Sequence, residues 1–389
     1  MDHITGRVKA CLPSATVKLM AKGIEMRRQG LDIQVLSGGE PDFDTPEKIK
    51  EAGIRAIKEN HTHYTPSPGL PELRRAVAEK LWRENRIKAD PENEILITPS
   101  CKTALFQAAL AFLEPGDEAM LLEPNWISYR AMVQLAGAKC ISVPLRMEDH
   151  FTITRDVLEQ HATEKTKVLI LSSPCNPTGR VMTAKEADDV ASFITERDIL
   201  LFSDELYERL VFDGRKNISL MARRELRDRV ITFNGFSKGY AMTGWRLGYS
   251  VANPELTRAM LTLQDHISSC ACSISQYAAL PAFGCESDVK SMVAEFQRRR
   301  DAIYEGMREI PCVTCCRSEG SFYLFCRVNY RGMDSLELCD HLLEHSGTLV
   351  APGDIYGGDC ERTIRLSFAA SMDTIRRGVE RIQRALSDP

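Results

Sequence analysis

The chain has 389 residues, of which 43% are hydrophobic, and its formal net charge at pH 7 is −4. It has no long block of basic residues, which argues against a protein that binds nucleic acid or anionic membranes and favours small-molecule substrates. The sequence has no apolar run long enough to span a bilayer, and its first residues lack the apolar core of a secretory signal, so we expect a cytoplasmic protein.

Thirteen cysteines are scattered along the chain. The two small clusters, Cys312–Cys316 and Cys270–Cys272, lack the ligand spacing and the partner histidines that zinc sites usually have. A chain of this size can form a substantial core without cross-links. We therefore expect reduced thiols, as in cytosolic proteins, and no metal site.

In chain order, the first part of the sequence predicts alternating helices and strands. Pro46 lies in the first turn of one predicted helix, and the segment Gly69–Glu72 precedes another. The next predicted elements are a strand at 95–98, a helix at 102–113 that ends before Pro115-Gly116-Asp117, and a strand at 119–122.

The central part contains two short, nearly continuous apolar runs, Lys167–Ser172 and Asp198–Ser203. Such runs are typical of parallel strands that are buried on both faces. Between them, Thr183 and Glu186 have the spacing of a capping box that opens a helix towards Arg197. This alternation predicts an α/β fold with a mostly parallel, doubly wound sheet.

The pattern changes near residue 290. The predicted elements of the last part are a long polar helix at 291–308, a strand at 322–325, a further helix, a strand at 364–368 and a last helix. This mixture predicts a second, smaller α+β domain that the N-terminal segment joins. We therefore expect a large domain at 46–289 and a small domain made of 1–45 and 290–389.

Polar residues follow three of the predicted strands. Asn176 and Asp204 follow the two strands of the central part, and Lys238 follows a third strand at Val230–Phe233. Ligands of an open parallel sheet bind at the carboxyl ends of its strands. The three side chains are therefore expected at one site.

Lys238 lies in a loop that contains several glycines, eight positions before Arg246. Burial and neighbouring cations lower the proton affinity of such an amine, which can then attack a carbonyl group and form a Schiff base. The guanidinium of Arg246 suits a phosphate or carboxylate because it donates two parallel hydrogen bonds. This pair is what pyridoxal phosphate requires. The alternative is an exposed loop with an ordinary lysine, because short motifs often arise by chance.

A carboxylate at the end of a buried strand needs a cation or several hydrogen-bond donors. We interpret Asp204 as the partner of the cofactor's protonated pyridine nitrogen. Two alternatives stay open: Asp204 caps the next helix, or Glu205 supplies the charge instead. Tyr207 would reach the cofactor's phenolic oxygen if this segment turns helically, and would otherwise be a half-buried aromatic residue.

A helix is predicted to open at Ser100-Cys101-Lys102, directly after a strand. The backbone N–H groups and the dipole of such a helix start attract anions, so we predict that the cofactor phosphate binds to Ser100, Cys101 and Lys102. Any strand-to-helix turn offers this geometry. The glycine-rich stretch Gly353–Gly358 opens no clear helix and is interpreted as a loop rather than a nucleotide site.

Three further residues each have two interpretations. Trp126 stacks on a pyridinium ring or packs in the core. Asn176 donates to the ring oxygen or to a substrate carboxylate, or it is an ordinary turn residue. Arg365 lies in an apolar strand and must be paired, either with a substrate α-carboxylate or with a structural acidic residue.

Six segments carry a resemblance that covers nearly the whole chain: 13–16, 39–46, 64–66, 69–74, 176–179 and 232–248. Their set and order resemble the class I aminotransferases, within the fold type I pyridoxal-phosphate enzymes, and in particular the aspartate aminotransferase branch. Many members of this family carry a glycine where Cys101 stands and a phosphate-binding serine where Gly235 stands. The hydrogen bonds to the phosphate are therefore expected to differ here.

The resemblance implies that Lys238 forms the internal aldimine and moves a proton between the substrate α-carbon and the cofactor's C4′. The other implied cofactor contacts are Asp204 at the pyridine nitrogen, Tyr207 and Asn176 at the phenolic oxygen, Trp126 at the ring face and Arg246 at the phosphate. The implied substrate contacts are Arg365, Asn176, Trp126 and the Gly39 backbone. Tyr64 would reach the phosphate of the neighbouring subunit, which implies a homodimer with shared active sites.

The implied function is a ping-pong transfer of an amino group between an L-amino acid, aspartate or glutamate, and a 2-oxo acid. A carbon–sulfur β-lyase, or an aminotransferase for aromatic or other amino acids, remains an alternative on the same scaffold. A non-enzymatic ligand-sensing regulator is a third possibility, although no DNA-binding segment is visible before Pro13. The candidates for recognising the substrate side chain are Ser14, Thr16, Lys18, Lys102, His266 and Ser268.

Overall fold

A computed structural model describes residues 3–11 and 15–387. Pro13 and Ser14, and the side chains of Thr16 and Lys18, lie outside the described part. None of the helices in the described part is long and apolar enough to cross a membrane.

The helices of the described part are, in chain order, α1 (Gly6–Ala10), α2 (Ala15–Arg28), α3 (Glu47–Lys58), α4 (Pro71–Lys80), α5 (Cys101–Phe112), α6 (Ser128–Ala136), α7 (Arg155–His161), α8 (Ala184–Glu196), α9 (Pro254–Ile267), α10 (Ser273–Ala279), α11 (Glu286–Arg308), α12 (Ser335–Ser346) and α13 (Met372–Ala385). The strands of the described part are β1 (Gln34–Val35), β2 (Ile95–Thr98), β3 (Glu118–Glu123), β4 (Lys139–Pro144), β5 (Thr166–Ser172), β6 (Leu200–Asp204), β7 (Val230–Gly235), β8 (Gly248–Val251), β9 (Val313–Cys315), β10 (Tyr323–Val328), β11 (Thr348–Leu349), β12 (Ala351–Pro352) and β13 (Thr363–Ser367).

The main sheet has the strand order β2-β8-β7-β6-β5-β3-β4. Strand β8 runs antiparallel to both of its neighbours, and the other adjacent pairs are parallel. In β5, Leu169 and Leu171 join one hydrophobic cluster, whereas Val168 and Ile170 join another. Because side chains alternate between the faces of a strand, both faces of the sheet are covered. The predicted mostly parallel, doubly wound sheet is confirmed.

Local sequence explains most element boundaries. The capping box at Thr183 forms: its hydroxyl accepts from the Glu186 N–H, and the Glu186 carboxylate accepts from the Thr183 N–H, at the start of α8. Helix α11 begins at Glu286, five residues before the predicted start at Ser291. Pro46 is the residue before α3 and not part of its first turn, which corrects the prediction by one position.

A second sheet is antiparallel, with the order β12-β13-β10-β9. It packs with α11 and α13 around a separate hydrophobic core that includes Phe296, Leu324 and Ile375. The N-terminal segment joins this part of the molecule, because β1 pairs with β11 and the Ser367 N–H donates to the Leu36 carbonyl. We therefore propose the division into a large domain at 46–289 and a small domain of 1–45 with 290–389.

Candidate active site

A cavity of about 330 Å³ lies between the carboxyl edge of the main sheet and the second sheet. The predicted site residues that line it are Gly39, Ser100, Cys101, Lys102, Trp126, Asn176, Asp204, Tyr207, Lys238, Arg246 and Arg365. Tyr64 does not line the cavity of its own chain and is 88% exposed. Parallel strands that end at one edge bring Asn176, Asp204 and Lys238 together, whereas Arg365 comes from β13 of the second sheet.

Lys238 follows β7, and its ammonium group donates to the Gly39 carbonyl at 2.5 Å. Burial lowers the pKa of Lys238 to about 8; Glu40 opposes this effect, and the positive charge of Arg246 adds to it. About one amine in ten is then neutral at pH 7, far more than for an ordinary lysine. The loop therefore holds an amine of lowered pKa inside the cavity.

Asp204 is the last residue of β6 and is buried. The Tyr129 hydroxyl donates to it at 2.5 Å and the Leu206 N–H at 3.1 Å. In the described part, no lysine or arginine forms an ion pair with Asp204, and burial raises the pKa of this carboxyl group. A protonated ring nitrogen beside Asp204 would supply the missing positive charge, so the site fits a pyridinium cofactor.

The structure favours neither alternative for Asp204. Residues 206–209 form a turn rather than an α-helix that Asp204 could cap. The Glu205 carboxylate accepts hydrogen bonds from Ser219 at 2.8 Å and Asn217 at 3.0 Å. It does not line the cavity, and burial raises the pKa of Glu205 to about 8. Asp204 is therefore the carboxylate available to a ligand.

The start of helix α5 lines the cavity with Ser100, Cys101 and Lys102. Its N-cap residue Ser100 has φ +102° and accepts from the Thr103 N–H at 3.3 Å. A Cβ atom at Gly248 would lie 2.2 Å from the Cys101 nitrogen, so only glycine lets β8 approach this turn. The first N–H groups of a helix lack intrahelical partners and, together with Lys102 and Arg246, can bind an anion.

Arg365 is buried at 3% exposure in β13. It donates to the Asn176 side-chain oxygen and to the Ser37 carbonyl, each at 3.0 Å, and its Nε has no partner in the described part. The Tyr323 ring lies 4.1 Å from its Cζ. No aspartate or glutamate of the described part pairs with Arg365, so the structural-carboxylate alternative is wrong. A buried, unpaired guanidinium is a site for an anionic ligand.

Asn176 and Trp126 both line the cavity. Because the Asn176 oxygen accepts from Arg365, its amide N–H groups can donate to a ligand. Trp126 precedes α6 by two residues, rather than beginning a helix as predicted. The Lys102 ammonium lies 4.7 Å from the centre of its ring.

Sequence reasoning missed several residues of the cavity: Ser37, Glu40, Tyr129, Ser237, Thr243, Tyr323 and Tyr356. The Tyr323 hydroxyl lies 3.1 Å from the Tyr207 hydroxyl. Tyr129 follows Trp126 at a helical i, i+3 spacing, a signal that could have identified it. The other residues have no such signal in the sequence, because they belong to segments that lie far apart along the chain and meet only when it folds.

The comparisons with known proteins agree with this geometry. Residues 32–382 match the family described as Aminotransferase class I and II. The aspartate aminotransferase of Bacillus subtilis is 37% identical over 385 residues, covering 97% of each chain. The aromatic-amino-acid aminotransferase 2 of Thermococcus litoralis is 37% identical over 390 residues, covering 99% of this chain and 98% of the relative.

Solved structures show the same similarity. The structure of the Thermus thermophilus aspartate aminotransferase with maleate superimposes with a TM-score of 0.94 at 37% identity, covering 99% of this chain and 100% of the other. The resemblance inferred from the sequence motifs is thereby confirmed. The chain belongs to the class I and II aminotransferase family and is a pyridoxal-phosphate-dependent aminotransferase.

Proposed function

We propose that this enzyme transfers the amino group of aspartate to a 2-oxo acid such as 2-oxoglutarate. The observation that carries the proposal is Arg365, a buried guanidinium without an acidic partner in the described part, in the same cavity as the nucleophilic Lys238. This combination places a binding group for a substrate α-carboxylate beside a base. Several relatives of similar sequence are named aspartate aminotransferase.

The cavity residues divide into groups that suit the parts of pyridoxal phosphate. We assign Asp204 to the ring nitrogen, Tyr207 and Asn176 to the phenolic oxygen and Trp126 to the ring face. The assigned phosphate contacts are Ser100, Cys101, Arg246 and Ser237, a hydroxyl residue near the Gly235 position, and the Lys102 ammonium group is a further candidate. Bound pyridoxal phosphate supplies the electron sink that allows a proton to leave the substrate α-carbon.

The remaining steps belong to the chain's own residues. Arg365, the Asn176 amide and the Gly39 backbone orient the α-carboxylate. Lys238 Nζ would be the base that takes the proton from the α-carbon, and its lowered pKa of about 8 suits a base that works close to neutral pH. Asp204, which accepts from the Tyr129 hydroxyl, would pair with the protonated ring nitrogen of the bound cofactor.

An assay of the purified, cofactor-loaded enzyme tests the proposal. Aspartate and 2-oxoglutarate are expected to yield oxaloacetate and glutamate. Oxaloacetate formation is measured by coupling its reduction to the oxidation of a reduced nicotinamide cofactor. Phenylalanine, tyrosine and alanine serve as competing donors. A higher kcat/KM for an aromatic or aliphatic donor would overturn the choice of aspartate. Release of pyruvate and ammonia from a cysteine-like substrate, without amino transfer, would favour the β-lyase.

Among the candidates for binding the carboxylate of the substrate's side chain, Lys102 is the one that the cavity supports best. It lines the cavity next to Trp126, whereas His266 and Ser268 do not. Partial burial and then the charge of Arg246 lower the pKa of Lys102. Its ammonium group can serve the cofactor phosphate, as the helix start suggests, or the substrate's second carboxylate.

Lys102→Met is expected to lower kcat/KM for aspartate by about 10- to 100-fold, because a hydrogen bond to a charged group contributes roughly 1.5–3 kcal/mol. Activity with alanine should change little. Steady-state kinetics with both donors measure the difference, and Lys165→Met on the exposed surface is the matched control. Equal losses for aspartate and alanine, together with weaker cofactor binding, would assign Lys102 to the phosphate instead.

We also propose a homodimer with shared active sites in the cytoplasm. Tyr64, Ile57 and Ile267 are large apolar or aromatic side chains with high exposure. They belong to neighbouring segments, because Ser273 donates to the His61 carbonyl. In the proposed dimer, the partner's Tyr64 reaches the phosphate end of the cavity. All thirteen cysteines lack a disulfide, which suits a reducing compartment.

A further inference from the structure

Tyr356 is a cavity residue with a hydroxyl group that no role described so far uses. Its side chain is 2% exposed, and the hydroxyl has no hydrogen-bond partner in the described part of the chain. The residue lines the same cavity as Lys238 and Arg365. A buried hydroxyl without a partner costs free energy, so native proteins rarely keep one unless a ligand or water satisfies it.

Arg365 is the polar neighbour of this ring. Its Cζ lies 5.1 Å from the centre of the Tyr356 ring, and the Tyr323 ring contacts the same guanidinium. Burial raises the pKa of Tyr356, with the charge of Arg365 opposing, so the hydroxyl keeps its proton and can donate it. Tyr323 differs because its hydroxyl is already paired with Tyr207.

The main sheet holds the turn that carries Tyr356. The carboxylate of Glu123, the last residue of β3, accepts from the Gly358 N–H at 2.7 Å and from Arg130 at 2.5 Å. Gly357 has φ +80°, and a Cβ atom there would lie 2.4 Å from the Glu123 carboxyl carbon. The Asn125 N–H donates to the Tyr356 carbonyl at 2.9 Å. These contacts fix the backbone at Tyr356 and at the two residues that follow it.

We propose that the Tyr356 hydroxyl donates a hydrogen bond to the substrate α-carboxylate that Arg365 binds. Tyr356 is then a substrate-binding residue, and Glu123 is the positioning residue that holds its turn. This assignment rests on the proposed function, because it takes the ligand of Arg365 to be a carboxylate. It also gives the glycine-rich stretch Gly353–Gly358 a role: glycines let the turn fit against Glu123.

Tyr356→Phe tests the proposal because it removes only the hydroxyl. Maleate, a dicarboxylate, and butyrate, a monocarboxylate, are titrated into the cofactor-loaded enzyme while the cofactor absorbance is followed. Both dissociation constants are expected to rise by about tenfold, as for the loss of one hydrogen bond to a charged group. Tyr304→Phe, which makes the same chemical change outside the cavity, should bind both ligands like the unmodified enzyme.

Glu123→Gln tests the positioning role. It should weaken maleate binding in the otherwise unmodified enzyme but add nothing in the Tyr356→Phe background, because Glu123 acts through Tyr356. An equal loss in both backgrounds would overturn this role, since a general structural defect acts regardless of the hydroxyl.

The outcomes distinguish a failure of the Tyr356 assignment from a failure of the proposed function. If the unmodified enzyme binds maleate and Tyr356→Phe binds it equally well, the Tyr356 assignment is wrong and the proposed function stands. If Tyr356→Phe weakens maleate but not butyrate, the hydroxyl contacts the second carboxylate, which overturns the α-carboxylate contact. If the unmodified enzyme binds neither ligand, the carboxylate role of Arg365 is wrong as well.

Discussion

Lys238→Ala is expected to lower the rate of amino transfer by more than about 10⁴-fold, because the change removes both the base at the α-carbon and the attachment point of the cofactor. Cofactor binding itself should persist, since Asp204, Arg246 and the start of α5 remain. Absorbance spectra distinguish bound from free cofactor, and aspartate turnover measures the loss. Lys165→Ala, an exposed change outside the cavity, is the control.

Reduction with borohydride followed by peptide mapping locates the attachment point. The pyridoxyl group should be recovered on the peptide that contains Lys238. Lys102 is the informative competitor, because it lines the same cavity. Recovery of the label on Lys102, with turnover preserved in Lys238→Ala, would show that the wrong lysine was chosen.

The pH dependence of cofactor uptake follows from the same residue. Only the neutral amine attacks an aldehyde, and burial lowers the pKa of Lys238 to about 8 from an ordinary value of 10.5. Attachment to the cofactor-free protein should therefore become faster as the pH rises towards 8 and level off above it. Stopped-flow absorbance measures the rate. A midpoint near 10 would show that the cavity does not depress this pKa.

Much of the fold could be predicted because burial on both faces of a parallel sheet leaves continuous apolar runs in the sequence. The strand at 95–98 was predicted to the residue, and β5 within one residue. The antiparallel pairing of β8 was not predicted, because strand pairing depends on contacts distant in sequence. The two-residue strands β1, β11 and β12 are too short for any periodicity to reveal them.

The candidate site was predictable where a polar side chain lies at the end of a strand. Asn176, Asp204 and Lys238 follow parallel strands, and one rule placed them together. Tyr129 and Tyr356 were missed because their sequence surroundings resemble those of ordinary core aromatics. Tyr129 is significant because its hydroxyl donates to Asp204, and Tyr356 because its hydroxyl has no partner in the described part of the chain. Both are properties of the folded chain.

Asp204→Ala is the second prediction with a large effect. The cofactor should still attach to Lys238, but the pyridine nitrogen loses its charge partner. A missing interaction of this kind removes several kcal/mol of transition-state stabilisation, so kcat should fall by about 10³-fold or more. Turnover and the pH titration of the cofactor absorbance measure the two effects separately.

Two variants give this experiment its controls. Tyr129→Phe keeps Asp204 but removes its hydrogen bond, so it should cause the same kind of defect to a smaller extent. Glu205→Gln should retain most activity, because the Glu205 side chain bonds to Ser203 and Ser219 outside the cavity. An active Asp204→Ala together with an inactive Glu205→Gln would assign the ring nitrogen to Glu205. The buried position of Asp204 would then require a different explanation. Its carboxylate accepts from Tyr129, from the Leu206 N–H and from the Cys101 thiol, without an ion pair in the described part of the chain, which is costly unless a ligand completes it.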